Sequence, residues 1–250
     1  MLRSLKDLIG YKVVTANGPI GKCKDILFKD RDWNVQYIDI ETGNWLPGRR
    51  VLLSPNCIGI PHWSSHLIPT ILSPQQIEDS PKLEENAPVS RQWENHYFSY
   101  YGWSHYAIGG QDWGYSTFPQ SFIKPNNRYK KPTINYDGSL RSLNEVLGYS
   151  LTSTTGSFGS ISDLYIELSS WHIKYLYCDT IKWLPSKKVL LSTSWINSVS
   201  WAGKSVNVNL RQGEITSLPH YNGDISLSSA HEELVDRSQP KTPPAHEAAG

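Results

Sequence analysis

The chain repeats itself at a fixed offset of 138 residues, and this duplication constrains its fold more than any other feature. Leu2–Ser4 recurs as Leu140–Ser142, and the Trp-Leu-Pro of residues 45–47 recurs at residues 183–185. The copies align without a gap, and further matched pairs include Asp25 with Asp163, Trp33 with Trp171, Tyr37 with Tyr175 and Trp63 with Trp201. Because this offset is much longer than a solenoid or propeller unit, the sequence indicates a duplicated domain.

Each copy contains short apolar runs separated by turn residues. In the first copy these runs are residues 12–16, 21–28, 35–40, 50–53, 57–60 and 67–72. Asn17 and Gly18 after the first run are typical of a hairpin turn, and Ser73 before Pro74 predicts the start of a short helix. Five or six short strands at such spacing predict a small antiparallel barrel, so the expected fold class is all-β.

The segment between the copies is unusually aromatic for a linker. It contains Trp93, Tyr97, Phe98, Trp103 and many further aromatic residues up to position 122. A flexible linker does not carry so much apolar area, so we expect this segment to pack against the barrels. The predicted domains are barrel 1 at 1–80, an aromatic-rich connector at 81–138, barrel 2 at 139–220 and a C-terminal extension at 221–250, disordered from about 238.

Composition excludes several classes of protein. The chain has 24 Lys and Arg against 23 Asp and Glu, so no excess of charge attracts it to nucleic acid. Its apolar runs are too short to span a bilayer, and the first ten residues lack the apolar core of a signal peptide. Three scattered cysteines are too few for a disulfide framework. We therefore expect a cytoplasmic protein with no membrane span and no nucleic-acid partner.

Several motifs of the first copy resemble the PRC-barrel family. They are the residues 5–11, 18–21, 25–28, 33–38 and 51–54, and the likeness covers about residues 2–105 and 140–220. The resemblance implies two small PRC-type antiparallel β-barrels in tandem with an aromatic-rich connector. In this family the domain occurs in the photosynthetic reaction centre H subunit and in the ribosome maturation factor RimM, where it docks onto other proteins. The chain lacks the membrane helix of the H subunit, so no functional residue is carried over.

An aromatic and basic loop occurs in both copies and is the candidate partner-binding surface. Tryptophan and arginine are enriched at protein interfaces, whereas the alternative is a solvated loop whose tryptophan folds back on the barrel. The candidate residues are Trp45, Arg49, Arg50, Trp183, Lys187 and Lys188.

Other chemistry-bearing residues have simpler interpretations. Asp25 and Asp163 are expected to accept hydrogen bonds from nearby backbone, since both copies keep them. His62 and His66 lie among prolines and serines rather than on a helix, so a metal site is not expected there. The cysteines have apolar counterparts in the other copy and are expected to fill the core.

No recognisable catalytic constellation or phosphate-binding loop occurs in the sequence. We therefore expect no enzymatic activity and no cofactor. The expected function is a protein-interaction or adaptor module, accessory to a photosynthetic, electron-transfer or ribosome-assembly complex. The alternative is a small-ligand protein that holds a quinone-like or other apolar cofactor in the aromatic seam. A homodimer is left open, because exposed strand edges can pair.

Overall fold

The computed structural model describes residues 2–84, 88–102, 140–180, 187–223 and 226–227, together with positions 233, 235 and 237. Its contacts divide the chain into two compact units. The N-terminal unit is Gly10–Leu140, and the C-terminal unit combines Met1–Ile9 with Arg141–Gly250. Of the connector predicted at 81–138, residues 85–87 and 103–138 lie outside the described residues, as does the tail from 238.

The elements follow one another in nearly the same order in the two repeats. In chain order they are β1 (Leu2–Ser4), β2 (Lys12–Thr15), β3 (Gly18–Lys29), β4 (Val35–Glu41), β5 (Val51–Leu53), β6 (Leu67–Pro69), α1 (Pro74–Glu78), α2 (Arg91–Tyr101), β7 (Leu140–Ser142), α3 (Leu143–Val146), β8 (Ser150–Ser153), β9 (Gly156–Glu167), β10 (His172–Asp179), β11 (Lys188–Ser192), β12 (Ile196–Ser200), β13 (Ser205–Val208), α4 (Gln212–Ser217) and β14 (Ser226–Leu227). Single turns of 3₁₀ helix lie at Lys6–Leu8, Pro55–Cys57, Trp63–Ser65 and Thr193–Trp195.

The N-terminal unit is built on a sheet with the strand order β5-β4-β3-β2-β6. Neighbouring strands are antiparallel except β2 and β6, which are parallel. Helix α2 is capped at its start by Ser90, whose hydroxyl accepts a hydrogen bond from the Trp93 amide, and at its end by Gly102. Its side chains Trp93, Tyr97 and Phe98 cover one face of the sheet. They form a core with Leu27, Tyr37, Leu52 and Leu83. The described part of the aromatic connector is therefore core of this unit.

The C-terminal unit repeats this plan with the strand order β11-β10-β9-β8-β13-β12. Five of its seven core positions, all except Leu2 and Tyr177, correspond to core positions of the N-terminal unit at the repeat offset. The seven positions are Leu2, Tyr165, Tyr175, Tyr177, Leu190, Tyr221 and Val235. Val235 corresponds to Tyr97 of α2, so the repeat continues past residue 220 into the residues that follow it.

The first strand of the chain belongs to the sheet of the second repeat. Strand β1 pairs antiparallel with β9, with Leu2 opposite Glu167 and Ser4 opposite Tyr165, and it also pairs with β14. Leu2 is fully buried there, whereas its counterpart Leu140 packs against the core of the N-terminal unit. The boundaries of the compact units therefore differ from those of the repeats. Leu2 of the first repeat packs in the C-terminal unit, and Leu140 of the second repeat packs in the N-terminal unit.

The expectation of an all-β fold is confirmed in its coarse form. The described residues form two sheets with few short helices. The expected antiparallel barrels are corrected in two respects: neither sheet closes into a barrel within the described residues, and the pairs β2–β6 and β8–β13 are parallel. The predicted helix start is confirmed, since the Ser73 hydroxyl accepts a hydrogen bond from the Gln76 amide while the Gln76 side chain accepts one from the Ser73 amide. None of the described helices is long and apolar enough to cross a membrane.

Candidate partner-binding surface

Arg49 turns toward its own unit and binds the carboxyl-terminal end of α1. Its guanidinium donates to the carbonyl oxygens of Ile77, Glu78 and Ser80 at 2.9, 2.5 and 2.9 Å, and to the Ser80 hydroxyl at 2.7 Å. The last carbonyls of a helix have no partner inside the helix and attract a cation. This side chain therefore holds α1 against the loop before β5.

Lys187 makes the equivalent contact to a helix in the second repeat. Its ammonium donates to the carbonyl oxygen of Thr216 in α4 at 2.5 Å. Thr216 is the repeat counterpart of Glu78, as Lys187 is of Arg49. Because the same contact occurs in both copies, it is part of the framework that the repeats share.

Arg50 and Lys188 also contact their own units, in two different ways. Arg50 Nε forms a salt bridge with Asp39 Oδ2 at 2.8 Å. Lys188 Nζ lies 5.6 Å from the centre of the Tyr177 ring, and Tyr177 is the counterpart of Asp39. An ion pair in one copy is thus replaced by a cation–π contact in the other, which keeps a cation satisfied at this position.

The two tryptophans of the candidate loops are less constrained. Trp45 is half-buried, in a turn where its amide donates to the Thr42 carbonyl at 3.3 Å. Trp183 lies outside the described residues. The four cations bind their own units, and Trp45 keeps a partly exposed ring.

Asp163 anchors the N-terminal segment of the chain. Its Oδ2 accepts from the Ser4 hydroxyl at 2.5 Å, and its Oδ1 accepts from the amides of Lys6 and Leu164 at 3.0 and 2.7 Å. Asp25 in the first copy accepts from the Ile26 amide at 2.8 Å. Both acids therefore bond local backbone, as the sequence predicts, and Asp163 in addition holds β1 on the second sheet.

The stability of the wild-type chain relative to an Asp163→Asn variant is expected to change with pH. Burial raises the pKa of Asp163 above its ordinary value of 3.8, although the hydrogen bonds from Ser4 and the two amides lower it in part. Because the pKa of Asp163 is raised in the folded state, its protonated carboxyl group contributes to the free energy of unfolding. This contribution is complete below pH 3.8 and is lost as the pH rises through the pKa of the folded state. The variant cannot ionise at this position and lacks that loss.

Chemical denaturation of both proteins at a series of pH values measures the difference between their free energies of unfolding. We expect the wild-type value to fall relative to that of Asp163→Asn with rising pH. A difference that grows in the opposite direction would show that the Ser4 hydroxyl and the amides stabilise the carboxylate more than burial destabilises it.

The three cysteines are buried and poorly suited to act as nucleophiles. Burial raises the pKa of Cys57 to about 12, and it raises the pKa of Cys23 and of Cys178 well above the ordinary thiol value. A thiol attacks as its thiolate, so these groups stay protonated and unreactive at neutral pH. They fill the core, as their apolar counterparts in the other copy predict.

His62 and His66 flank one turn of 3₁₀ helix, Trp63–Ser65, and do not share a helical face. The ring of His66 packs edge-on against Tyr11, with 4.8 Å between ring centres. Within the described ranges, no three His, Cys, Asp or Glu side chains come together in a group that could hold a metal ion.

Two exposed features of the N-terminal unit were missed from the sequence. Ile60 and Ile71 are 78% and 52% exposed, although both are large aliphatic side chains. An open cleft of about 360 Å³ lies at the ends of β2, β3 and β4, with Lys12, Lys22, Glu41 and Thr42 among its lining residues. A residue-by-residue comparison of the two copies could have found both, because the second copy has different residues at these positions.

Comparison with known proteins finds a family match for one part of the chain. No curated protein matches it. The family model of the PRC-barrel domain matches residues 2–62, which include β1 to β5. Residues 2–62 are therefore identified as a PRC-barrel domain.

Proposed function

We propose that the protein is a non-catalytic protein-interaction module whose partner binds the N-terminal unit. The observation that carries this proposal is the exposure of Ile60 and Ile71. Single exposed aliphatic residues are common on protein surfaces, so exposure alone does not mark a binding site. The comparison between the two repeats is the further evidence that these two isoleucines belong to a binding surface.

Both isoleucines lie on one antiparallel ribbon of the N-terminal unit. The amide of Ile71 donates to the carbonyl of Cys57 at 3.0 Å, and the amide of Gly59 donates to the carbonyl of Pro69 at 2.8 Å. Ile58 pairs with Thr70 between these two bonds. We call residues 57–71 the apolar ribbon. Its backbone is fixed by these bonds, so the isoleucines are held outward by a defined structure.

The second repeat has the same backbone here with polar side chains. Ser198 corresponds to Ile60, and Asn209 corresponds to Ile71. The amide of Asn209 donates to the carbonyl of Trp195, as the amide of Ile71 does to that of Cys57. Since the shared fold accepts polar residues at both places, it does not require the isoleucines. Apolar groups that the fold does not need and that water surrounds are typical of a binding surface.

The partner is proposed to be a component of a larger complex, of the photosynthetic, electron-transfer or ribosome-assembly kind. The half-buried ring of Trp45 is a further candidate contact, and the loop of Trp183 is proposed to act in the same way. Because Arg49, Arg50, Lys187 and Lys188 bind their own units, their proposed part is to hold these loops in place. The buried, protonated thiols are consistent with a role that needs no nucleophile.

A small apolar ligand is the less favoured alternative. Three of the described aromatic residues of the connector, Trp93, Tyr97 and Phe98, are buried in the core of the N-terminal unit, where they contact protein rather than a quinone-like cofactor. The cleft near Lys12 and Lys22 has charged and hydroxyl groups in its lining, which do not suit an apolar ring.

The test replaces the isoleucines by the residues of the second repeat. Wild type and the variant Ile60→Ser with Ile71→Asn are used for affinity purification from the native cell at low salt, followed by quantitative mass spectrometry. We expect one protein at near-equal amounts with wild type and a loss of about tenfold or more with the variant, since central apolar contacts dominate interface energy. The candidate is then purified and its affinity for both proteins is measured directly.

The matched control is Ser198→Ala with Asn209→Ala, which changes the same positions of the second repeat and is expected to bind as wild type does. Thermal unfolding by circular dichroism checks that each variant is folded. Equal binding of the purified partner to wild type and to the isoleucine variant would remove the apolar ribbon as the interface. Copurification of a chromophore without any protein would favour the ligand alternative.

A further inference from the structure

We infer that the outer face of β2 and β3 binds an acidic peptide segment of a protein partner through Lys12, Lys22 and Lys24. We call these three residues the lysine face. This inference rests on the proposed interaction role and adds a chemical class of partner to it. The lysine face adjoins the apolar ribbon, because Lys12 of β2 pairs with Leu67 of β6. The two surfaces share no side chain, so substitutions in one can be tested without changing the other.

The lysine face brings like charges together in a defined register. Lys12 of β2 lies directly opposite Lys22 of β3. Lys24 lies two residues further along β3, at the register shift between Cys23 and Asp25, and its charge also lowers in part the pKa of the Asp39 carboxyl, which burial raises. All three lysines are exposed. Like charges opposite each other in an antiparallel pair destabilise the sheet. An arrangement that costs stability and does not serve the core points to a ligand of opposite charge.

Within the described ranges, no salt bridge joins an acid to the opposed pair. Glu41 of β4 lies opposite Lys22 on the other side of β3. Even so, neither Lys12 nor Lys22 makes a salt bridge or a side-chain hydrogen bond with another described residue. Their ammonium groups are therefore available to carboxylates from outside the chain.

The open cleft lies beside these lysines. Its volume of about 360 Å³ is lined by Lys12, Lys22, Glu41 and Thr42 among others. Gly21 permits the close approach of β3 to β4 there, because a Cβ atom at this residue would lie 2.4 Å from the carbonyl oxygen of Glu41. The cleft can hold a short stretch of extended chain, with the Thr42 hydroxyl and the Glu41 carboxylate as hydrogen-bonding groups for its backbone.

The second repeat shows that the fold does not require these lysines. Ser150, Ser160 and Ser162 correspond to Lys12, Lys22 and Lys24. Ser150 lies opposite Ser160 in the same register, and Gly159 makes the same close approach as Gly21. The backbone is thus shared, whereas three positive charges occur in one copy and three hydroxyl groups in the other.

An acidic peptide suits this site better than a nucleic acid does. The whole chain has a net charge of only +1, so no wide positive field supports the many phosphate contacts of nucleic-acid binding. Complementary charge of this limited extent is typical of protein interfaces, where it selects the partner and speeds association.

The experiment measures binding of a short glutamate-rich peptide to the full chain by isothermal titration calorimetry at low ionic strength. The variant Lys12→Ser with Lys22→Ser and Lys24→Ser introduces the residues of the second repeat, and we expect it to bind about tenfold more weakly than wild type. The reverse variant, Ser150→Lys with Ser160→Lys and Ser162→Lys, is expected to gain a second peptide site. A peptide with glutamine in place of glutamate is expected not to bind.

Two further probes separate the sources of negative charge. A single-stranded oligonucleotide of equal length, or vesicles containing phosphatidylserine, would overturn the inference if either bound more tightly than the peptide. Equal peptide affinity of wild type and the lysine variant would overturn it too. The proposed function fails in a different experiment, in which the variant Ile60→Ser with Ile71→Asn still binds the native partner as tightly as wild type. That result leaves the peptide titrations of the lysine face unchanged.

Discussion

Replacing Leu2 by alanine is expected to lower the free energy of unfolding of the C-terminal unit by about 2–5 kcal/mol. Leu2 is second in the chain, where most proteins tolerate substitution, but here its side chain is fully buried. It packs in a core with Tyr165, Tyr175 and Leu190. Truncation would leave a cavity among these large side chains, which cannot close without moving the sheet.

Hydrogen exchange followed by mass spectrometry would locate the effect within the chain. We expect faster exchange in peptides from β9 and β10 and little change in peptides from β3 and β4. Ile60→Ala is the matched control, since it truncates an aliphatic side chain that is 78% exposed, and its effect should stay within about 0.5 kcal/mol. Loss of protection in β3 and β4 instead would contradict the pairing of β1 with β9.

Removing the hydroxyl of Tyr97 is expected to destabilise the N-terminal unit far more than its size suggests. The hydroxyl donates to the carbonyl of Leu52 at 2.9 Å and accepts from the amide of Ser54 at 3.1 Å. Tyr97→Phe would leave both buried backbone groups without a partner, at about 1–3 kcal/mol each. Tyr97→Ala would add a cavity and cost about 3–5 kcal/mol or more.

Urea denaturation monitored by tryptophan fluorescence measures these losses. Tyr100→Phe is the control on the same helix, because the Tyr100 hydroxyl donates to the Gln76 carbonyl at an exposed site and water can replace it. An equal effect of Tyr97→Phe and Tyr100→Phe would contradict the role of the buried hydroxyl.

The candidate loops show where inference from sequence stopped. Tryptophan beside arginine or lysine is common at interfaces, and the repeat of this pattern made the loops the best candidates. Arg49 instead binds carbonyls about thirty residues further along the chain, at the end of α1. Sequence spacing does not show where a helix end will lie in three dimensions, so the direction of a long cationic side chain could not be predicted.

Comparison of the two copies predicted more than either copy alone. Asp25 and Asp163 occur in both, which correctly indicated local hydrogen bonds, and the apolar counterparts of the cysteines correctly indicated burial. Pairs of residues that differ together between the copies could not be recognised from the sequence. Asp39 with Arg50 becomes Tyr177 with Lys188, and only the contacts show that each pair changed together.

The sequence by itself determined the duplication, the mostly β fold, the approximate strands and the start of α1, because hydrophobic period, turn residues and helix caps act over a few neighbouring residues. Only the tertiary structure decided which sheet receives β1. Leu2–Ser4 and Leu140–Ser142 have the same three residues, so their local preferences cannot distinguish the two sheets. The choice depends on long-range contacts instead, namely the burial of Leu2 among the tyrosines and the bond from Ser4 to Asp163.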